Sequence, residues 1–369
     1  MSKKTPLTAI HESLGARMVD FAGYYMPLTY QGINEEHQNV RENVGVFDCS
    51  HMGEFFVSGP NSLELVQRVT SNDASKLEVG RVQYSSFPNE QGGLVDDLLV
   101  YRMPDDVNGK VFMLVVNASN IEKDWDWVEK NNRDIGAELS NRSYDFGLLA
   151  VQGPLAEHVL QKLTDVDLGS ILYYHYKIGA FAGLDDVILS ATGYTGAGGF
   201  EIYAKEKDMP KIWADIFEAG AEVGIQPAGL GCRDTLRLEM GYCLYGNDID
   251  DTTTPLEAGL GWITKLGKGD FVGREVLMKM KENGIPRRLV GFTLEGKRVP
   301  RHGYKILDLS GGELGYVTSG TMSPSLHRPI GMGYVKTGMH KKGTSILIDT
   351  GRKHLEAQIV GLPFYKSEK

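Results

Sequence analysis

A chain of 369 residues, 41 % hydrophobic and 24 % charged, has the make-up of a globular protein with room for two or three domains. Its formal net charge of −9 excludes a general nucleic-acid binder, which needs a basic footprint, although a local basic patch remains compatible with it. The 3 cysteines (Cys49, Cys232, Cys243) have no CxxC or metal spacing, no run reaches the ~18 apolar residues of a membrane span, and MSKKTPLTAIHES lacks an apolar leader core, so the expected location is a reducing cytoplasm.

Along the chain, the first residues predict the start of a helix, followed by a loop rich in glycine and aromatics over 21–30 and a polar helix over 34–43. Two matching units come next. Phe55–Pro60 runs into 61–69, and Leu148–Pro154 runs into 155–163; each reads as an apolar strand, a Gly-Pro turn and an amphipathic helix. The repetition predicts two related α+β halves. Strands are expected at 93–102 and 111–117, a helix at 120–131, a hairpin from 187–191 and 200–204, and a helix at 211–223. From about Pro286 onward, short β-rich segments alternate with turn residues, which predicts a small antiparallel barrel or sandwich of roughly 80 residues.

Four stretches carry candidate chemistry. In Leu94-Val95-Asp96-Asp97-Leu98 two carboxylates open a strand, and since neighbours on a strand point to opposite faces, one must face inward or into a cleft. It either accepts turn N–H groups or meets a ligand. The loop Gly193 to Gly199 lacks the GK[ST] of a phosphate loop and the GxGxxG spacing of a dinucleotide site; its glycines let backbone approach a ligand, and Glu201 can offer a carboxylate to paired N–H donors such as an amino-pyrimidine edge. Cys49, Ser50 and His51 are too close in sequence to form a nucleophile–base pair, and Cys49 reads as core. The 9 histidines form no HxH or HExxH pattern, so no metal is expected. Finally, Arg233 to Asp250 places Arg233 and Arg237 four apart on a predicted helix, with Tyr242 and Tyr245 following. Such arginines either make structural ion pairs or bind a planar anion.

RDTLRLEMGYCLYGNDID (233–250), with GLG before it and TTPLEAGLGW after it, resembles the signature of the glycine cleavage T-protein family of aminomethyltransferases. So do TPLTAIHESLGARMVDFAGYYMPLTY, VFDCSHMGEF, NEQGGLVDDLLVYR, ATGYTGAGGFEIY and VTSGTMSPSLHRPIGMGYV, in order along nearly the whole chain. The resemblance implies an α+β fold, a three-domain cloverleaf around a central tetrahydrofolate site. One α+β lobe would comprise 1–48 with 140–230, a second 49–139 with 231–280, and a β-barrel domain 285–369. It implies methylene transfer from the S-aminomethyl-dihydrolipoyl arm of the H-protein to tetrahydrofolate as co-substrate, yielding 5,10-methylene-tetrahydrofolate, ammonia and the free dithiol arm, with the P- and L-proteins as indirect partners. Neither nucleic acid nor membrane is expected as a partner.

Because the nucleophile belongs to the folate, the protein has to supply position and a carboxylate near developing positive charge. By similarity that carboxylate is Asp97, Glu201 holds the pterin and Arg233 lies in the folate pocket. Met52, Tyr84, Asn117, Tyr194 and Tyr242 match pocket-lining positions, and Arg237 is structural. One departure is Ala197, where the family loop GYTGE has an acid. A non-catalytic folate-binding scaffold of the same fold is the alternative, but such scaffolds carry a KGCYxGQE-type motif where this chain has GCRDTLRLE.

Overall fold

The computed structural model describes residues 2–367. Two compact units emerge, each assembled from separate stretches of chain. The first is built from the chain up to Arg68 with Ala74–Tyr84 and Leu98–Arg233; the second is built from Val69–Asp73, Ser85–Asp97 and the chain from Asp234 onward.

The first unit is organised on a six-stranded sheet in the order Tyr176–Phe181, Leu184–Ser190, Gly199–Lys205, Phe146–Gln152, Gly45–Asp48 and Gln226–Pro227. All its pairs are antiparallel except the last. Alternate side chains of these strands (Val46, Leu149, Val151, Leu189 and Ile202) pack with Ile212, Trp213 and Ile216 of the helix Met209–Ala219 into one apolar core. At roughly 1.5–3 kcal/mol for each large apolar side chain removed from water, this core is the main stabilising term of the unit. A five-stranded sheet follows the order Val82–Pro88, Leu94–Asp106, Gly109–Val116, Gly53–Ser58 and Glu138–Asn141.

Both strand–Gly-Pro–helix units form. Gly53–Ser58 leads through Gly59 into the helix Ser62–Val69, and Phe146–Gln152 leads through Gly153 into Ala156–Leu160. Gly153 has φ +133°, and a Cβ there would lie 2.4 Å from the carbonyl oxygen of Asn43, so both conformation and space demand glycine.

The expected loop over 21–30 is instead part of a β-hairpin, Arg17–Phe21 paired with Tyr24–Thr29. Ala22 and Gly23 turn with φ of 52° and 77°, the double positive φ of a tight hairpin turn. The alanine hides that signal, because a non-glycine residue at positive φ is uncommon.

The second unit contains a closed barrel in the order Arg287–Leu294, Arg328–Lys336, Glu313–Ser323, Lys305–Leu307, Ser345–Asp349 and His354–Val360. Phe292, Ile306, Val317, Ile346, Ile348 and Ile359 fill it. The β-rich segments expected from about Pro286 form these strands, and closure decides for a barrel over a sandwich. Among the described residues no helix is long and apolar enough to cross a membrane.

Candidate active site

The helix Leu230–Glu239 carries Arg233 and Arg237 and buries Thr235, Leu236 and Leu238. Its entry is fixed by Glu36, whose Oε2 accepts from the Gly229 N–H at 2.8 Å while Oε1 accepts from Tyr30 N–H at 2.6 Å. A carboxylate at a helix start also suits the helix dipole. The half-buried Arg233 guanidinium lies 4.9 Å from the Tyr194 ring centroid, and its Nη1 donates to Cys49 Sγ at 3.4 Å. Burial opposes its charge, but Cys49, Tyr194, Glu201 and Cys232 outweigh that and keep its pKa above the ordinary arginine value. The result is a flat cation on an aromatic face, a contact of ~0.5–2 kcal/mol.

Glu201 lies on the strand Gly199–Lys205, opposite Ser190 and Ala150 of the flanking strands. Its side chain is buried, and Oε2 accepts from Thr192 Oγ1 at 2.5 Å and from the Tyr203 hydroxyl at 3.4 Å. Burial pushes its pKa up; Thr192, Arg233 and Tyr203 pull it back. The expected acid and arginine therefore share one electrostatic site with Tyr194. The loop before Glu201 is fastened without any side-chain contact from residue 197. Arg41 Nη1 donates to the Thr195 carbonyl at 2.6 Å, Thr195 Oγ1 donates to Gln152 Oε1 at 2.8 Å, and the Ala197 N–H donates to Thr195 Oγ1 at 3.2 Å. Replacing the family's acid by Ala197 leaves these contacts in place.

Cys49 and His51 complete the surroundings of Arg233. Burial pushes the Cys49 thiol up to about 11, with Glu201 and Asp48 adding to it against Arg233, so it is a neutral thiol and a poor nucleophile at neutral pH. Burial, with Arg233 adding to it against Asp48, holds the His51 imidazole down to about 4. Its Nδ1 finds no hydrogen-bond partner among the described residues, and its ring packs edge-on against Phe21 and Tyr24 at 5.8 and 6.2 Å. Met52 is half-buried in the turn after Cys49, its N–H donating to the Cys49 carbonyl at 3.0 Å. Tyr84 is half-buried on the strand Val82–Pro88, and the half-buried Asn117 directly follows Gly109–Val116.

In the second unit, the start of the strand Leu94–Asp106 is pinned by Tyr245, whose hydroxyl donates to the Leu94 carbonyl at 2.9 Å, and by the Leu94 N–H, which donates to the Asp250 carbonyl at 3.1 Å. Along this strand Asp96 is fully buried, whereas Asp97 and Leu99 are partly open. Strand alternation thus turns Asp96 inward and Asp97 to the open face. Asp97 also acts on the buried Cys243, whose thiol burial drives well up, with Asp248 and Asp97 adding to the effect against Arg237. Tyr242 is half-buried in a loop, because the helix ends at Glu239 and Gly241 takes φ +69°. Arg237 is sealed in an ion pair with Asp248. Among the described residues, no group of three or more His, Cys, Asp or Glu is arranged to hold a metal ion.

Comparison with known proteins shows the family. Residues 7–268 match the family model of the GCVT N-terminal domain, and residues 287–366 match that of the glycine cleavage T-protein C-terminal barrel domain. The chain belongs to the glycine cleavage T-protein family. It is 57% identical to an aminomethyltransferase of Flavobacterium psychrophilum over 364 residues, which is 99% of either chain. It is 56% identical to one of Porphyromonas gingivalis, covering 99% of this chain and 100% of that one. The crystal structure of the glycine cleavage system aminomethyltransferase T from Bartonella henselae superposes with a TM-score of 0.90 at 33% identity, covering 99% and 98% of the two chains.

Sequence reasoning missed the residues that hold Glu201, namely Thr192, Ser190, Tyr203 and Tyr101. A signal existed for one of them: Glu201 and Tyr203 are two apart on one strand, and a period of two puts them on the same face. Tyr101 had none, since only the fold brings its strand there.

Proposed function

We propose that Glu201 and Arg233 bind the pterin of tetrahydrofolate and that Asp97 is the carboxylate that steadies positive charge during aminomethyl transfer. The chain is an aminomethyltransferase of the glycine cleavage system. The observation that carries the reading is the pairing of a buried carboxylate, held by Oε2 alone in its hydroxyl contacts, with a guanidinium stacked on an aromatic ring. The donor set fits the group. A carboxylate accepts two parallel N–H bonds from an amino-pyrimidine edge, and a guanidinium on a ring suits a planar, polar partner.

When bound, tetrahydrofolate supplies the nucleophilic nitrogens that take the methylene from the lipoyl arm of the H-protein. The protein's own residues do the rest. Glu201 orients the ring, and Arg233 on Tyr194 fixes its plane and balances charge. Asp97, on the open face of its strand, stabilises the cationic centre that develops as ammonia leaves, whereas Asp96 is buried and structural. Met52, Tyr84, Asn117 and Tyr242 line the ligand. Cys49 and His51 stay neutral and make no bond to substrate. Lipoylated H-protein is the proposed partner. The three-domain division, with lobes 1–48/140–230 and 49–139/231–280 and a barrel from 285, remains the proposed frame.

The test is ammonia release from aminomethylated H-protein. It is expected only when tetrahydrofolate is present; release without folate dependence, or none at all, would overturn the reading and leave a folate-binding scaffold. Asp97→Asn is expected to lower kcat by ~10²–10³-fold with little change in folate affinity, and Glu201→Gln mainly to weaken folate binding. A crippled Asp96→Asn beside a mild Asp97→Asn would reverse the choice between the two acids.

A further inference from the structure

Behind Glu201 lie four hydroxyls, all buried: Tyr101, Ser190, Thr192 and Tyr203. Tyr101 is 3.0 Å from Tyr203, 3.0 Å from Ser190 and 3.3 Å from Thr192, while Ser190 and Thr192 are 2.9 Å apart. Proton counting decides the direction of these bonds. An ionised carboxylate only accepts, and each hydroxyl has one proton to give. Thr192 and Tyr203 both reach Oε2, so both protons are committed there. The Tyr101–Tyr203 bond is then donated by Tyr101. With that proton committed, the single proton of Ser190 goes to Thr192, the shorter of its two contacts at 2.9 Å, and the Tyr101–Ser190 and Tyr101–Thr192 approaches carry no proton. Two chains result, Tyr101→Tyr203→Glu201 and Ser190→Thr192→Glu201, with every proton directed at the carboxylate.

Protonation of Glu201 weakens this order even when the proton sits on the other oxygen, because Oε2 of a neutral acid is a poorer acceptor than a carboxylate oxygen for two buried donors. The charged and titratable groups facing this site reinforce the asymmetry. Arg233 faces it from its helix and Cys49, as a neutral thiol, from the end of the strand Gly45–Asp48. Glu54, on the strand Gly53–Ser58, acts on Tyr203; burial drives its own pKa well up, and its Oε2 has no hydrogen-bond partner among the described residues. Burial thus disfavours the charged form of Glu54.

We propose that Tyr101, Ser190, Thr192 and Tyr203 are positioning residues that lock Glu201 as an anion through Oε2 and keep its other oxygen uncommitted for paired N–H donors of the ligand. The proposal rests on the reading of Glu201 as the pterin-binding acid. It makes these hydroxyls specificity determinants, favouring a ligand edge that donates over one that accepts.

The test titrates Glu201 in ligand-free protein by infrared difference spectroscopy against Glu201→Gln, in the wild type and in Thr192→Val, Thr192→Ser and Tyr203→Phe. Tetrahydrofolate affinity is measured across the same pH range. Thr192→Val and Tyr203→Phe are expected to raise the pKa of Glu201 and to cost about tenfold or more in affinity at neutral pH. Affinity should recover as pH rises, and Thr192→Ser should behave as wild type. A merely structural role would weaken binding at every pH alike. An unchanged Glu201 titration in both hydroxyl deletions would overturn the positioning role while leaving Glu201 as the pterin acid. A shifted titration with flat affinity, in Glu201→Gln as well, would overturn the assignment of Glu201 itself.

Discussion

Arg237 Nη1 donates to Asp248 Oδ2 at 2.7 Å, with side-chain exposures of 2% and 0%. Arg237 also donates to Asp234, to Ser319 Oγ at 2.9 Å and to the Tyr242 carbonyl at 3.0 Å, while the Leu244 N–H donates to Asp248 Oδ2 at 2.9 Å. Removing one member of a satisfied buried pair strands the other charge, which costs about 3–5 kcal/mol. Asp248→Ala is therefore expected to destabilise the protein by that amount in urea denaturation. A loss below ~1 kcal/mol would mean that the pair is not the anchor of this loop.

The Arg233–Tyr194 stack is expected to act as a unit in ligand binding. Arg233→Lys keeps the charge but loses the flat guanidinium, so a double-mutant cycle with Tyr194→Leu on folate affinity should return a coupling of ~0.5–2 kcal/mol. Strictly additive effects would show that ring and guanidinium bind independently.

His51 makes a prediction about acid. Its folded pKa, about 4, lies below the ordinary 6.5 because of burial, so between these values the unfolded chain binds a proton that the folded one does not. The corresponding stability is fully present above pH 6.5 and is lost as pH falls toward 4. Replacing the ring by one that does not titrate, His51→Phe, should flatten the acid limb of stability against pH by up to about 1.4 kcal/mol per pH unit in that window. Parallel curves for the two proteins would show that His51 titrates normally.

Lys268 acts in the alkaline range. Its Nζ donates to the carbonyls of Thr70 and Asn72 at 2.6 and 2.7 Å and lies 5.0 Å from the Phe271 ring centroid. Burial lowers its pKa to about 7, with Asp73 opposing. Between about 7 and the ordinary 10.5 the unfolded chain again holds the extra proton, so this group makes stability rise with pH across that window. Lys268→Met should remove the rise, read as the difference in urea midpoint between the two proteins at the window's two ends.

Much of this was legible from residues alone. The strands of the barrel announced themselves through alternation and turn residues, and Glu201 through its place beside a glycine loop. The Phe21–Tyr30 segment was not, because Ala22 adopts a conformation that sequence assigns to glycine or asparagine. The helix end was not marked in advance either: it stops at Glu239, and Gly241 at φ +69° places Tyr242 in a loop. Spacing alone left two arginines four apart on one helix open between ion pair and ligand contact; the family resemblance divided them, and the structure supplies their protein partners. Arg237 meets Asp248, and Arg233 meets Tyr194 and Cys49. Periodicity says which way a side chain leaves its helix, but not which distant strand it finds there.

Closure of the C-terminal barrel has a consequence for handling the protein. The pairing of Arg287–Leu294 with His354–Val360 completes the ring, so the native barrel presents no unpaired strand edge on which a second molecule can polymerise. Strand addition to this domain would then have to begin with chains in which that seam has opened.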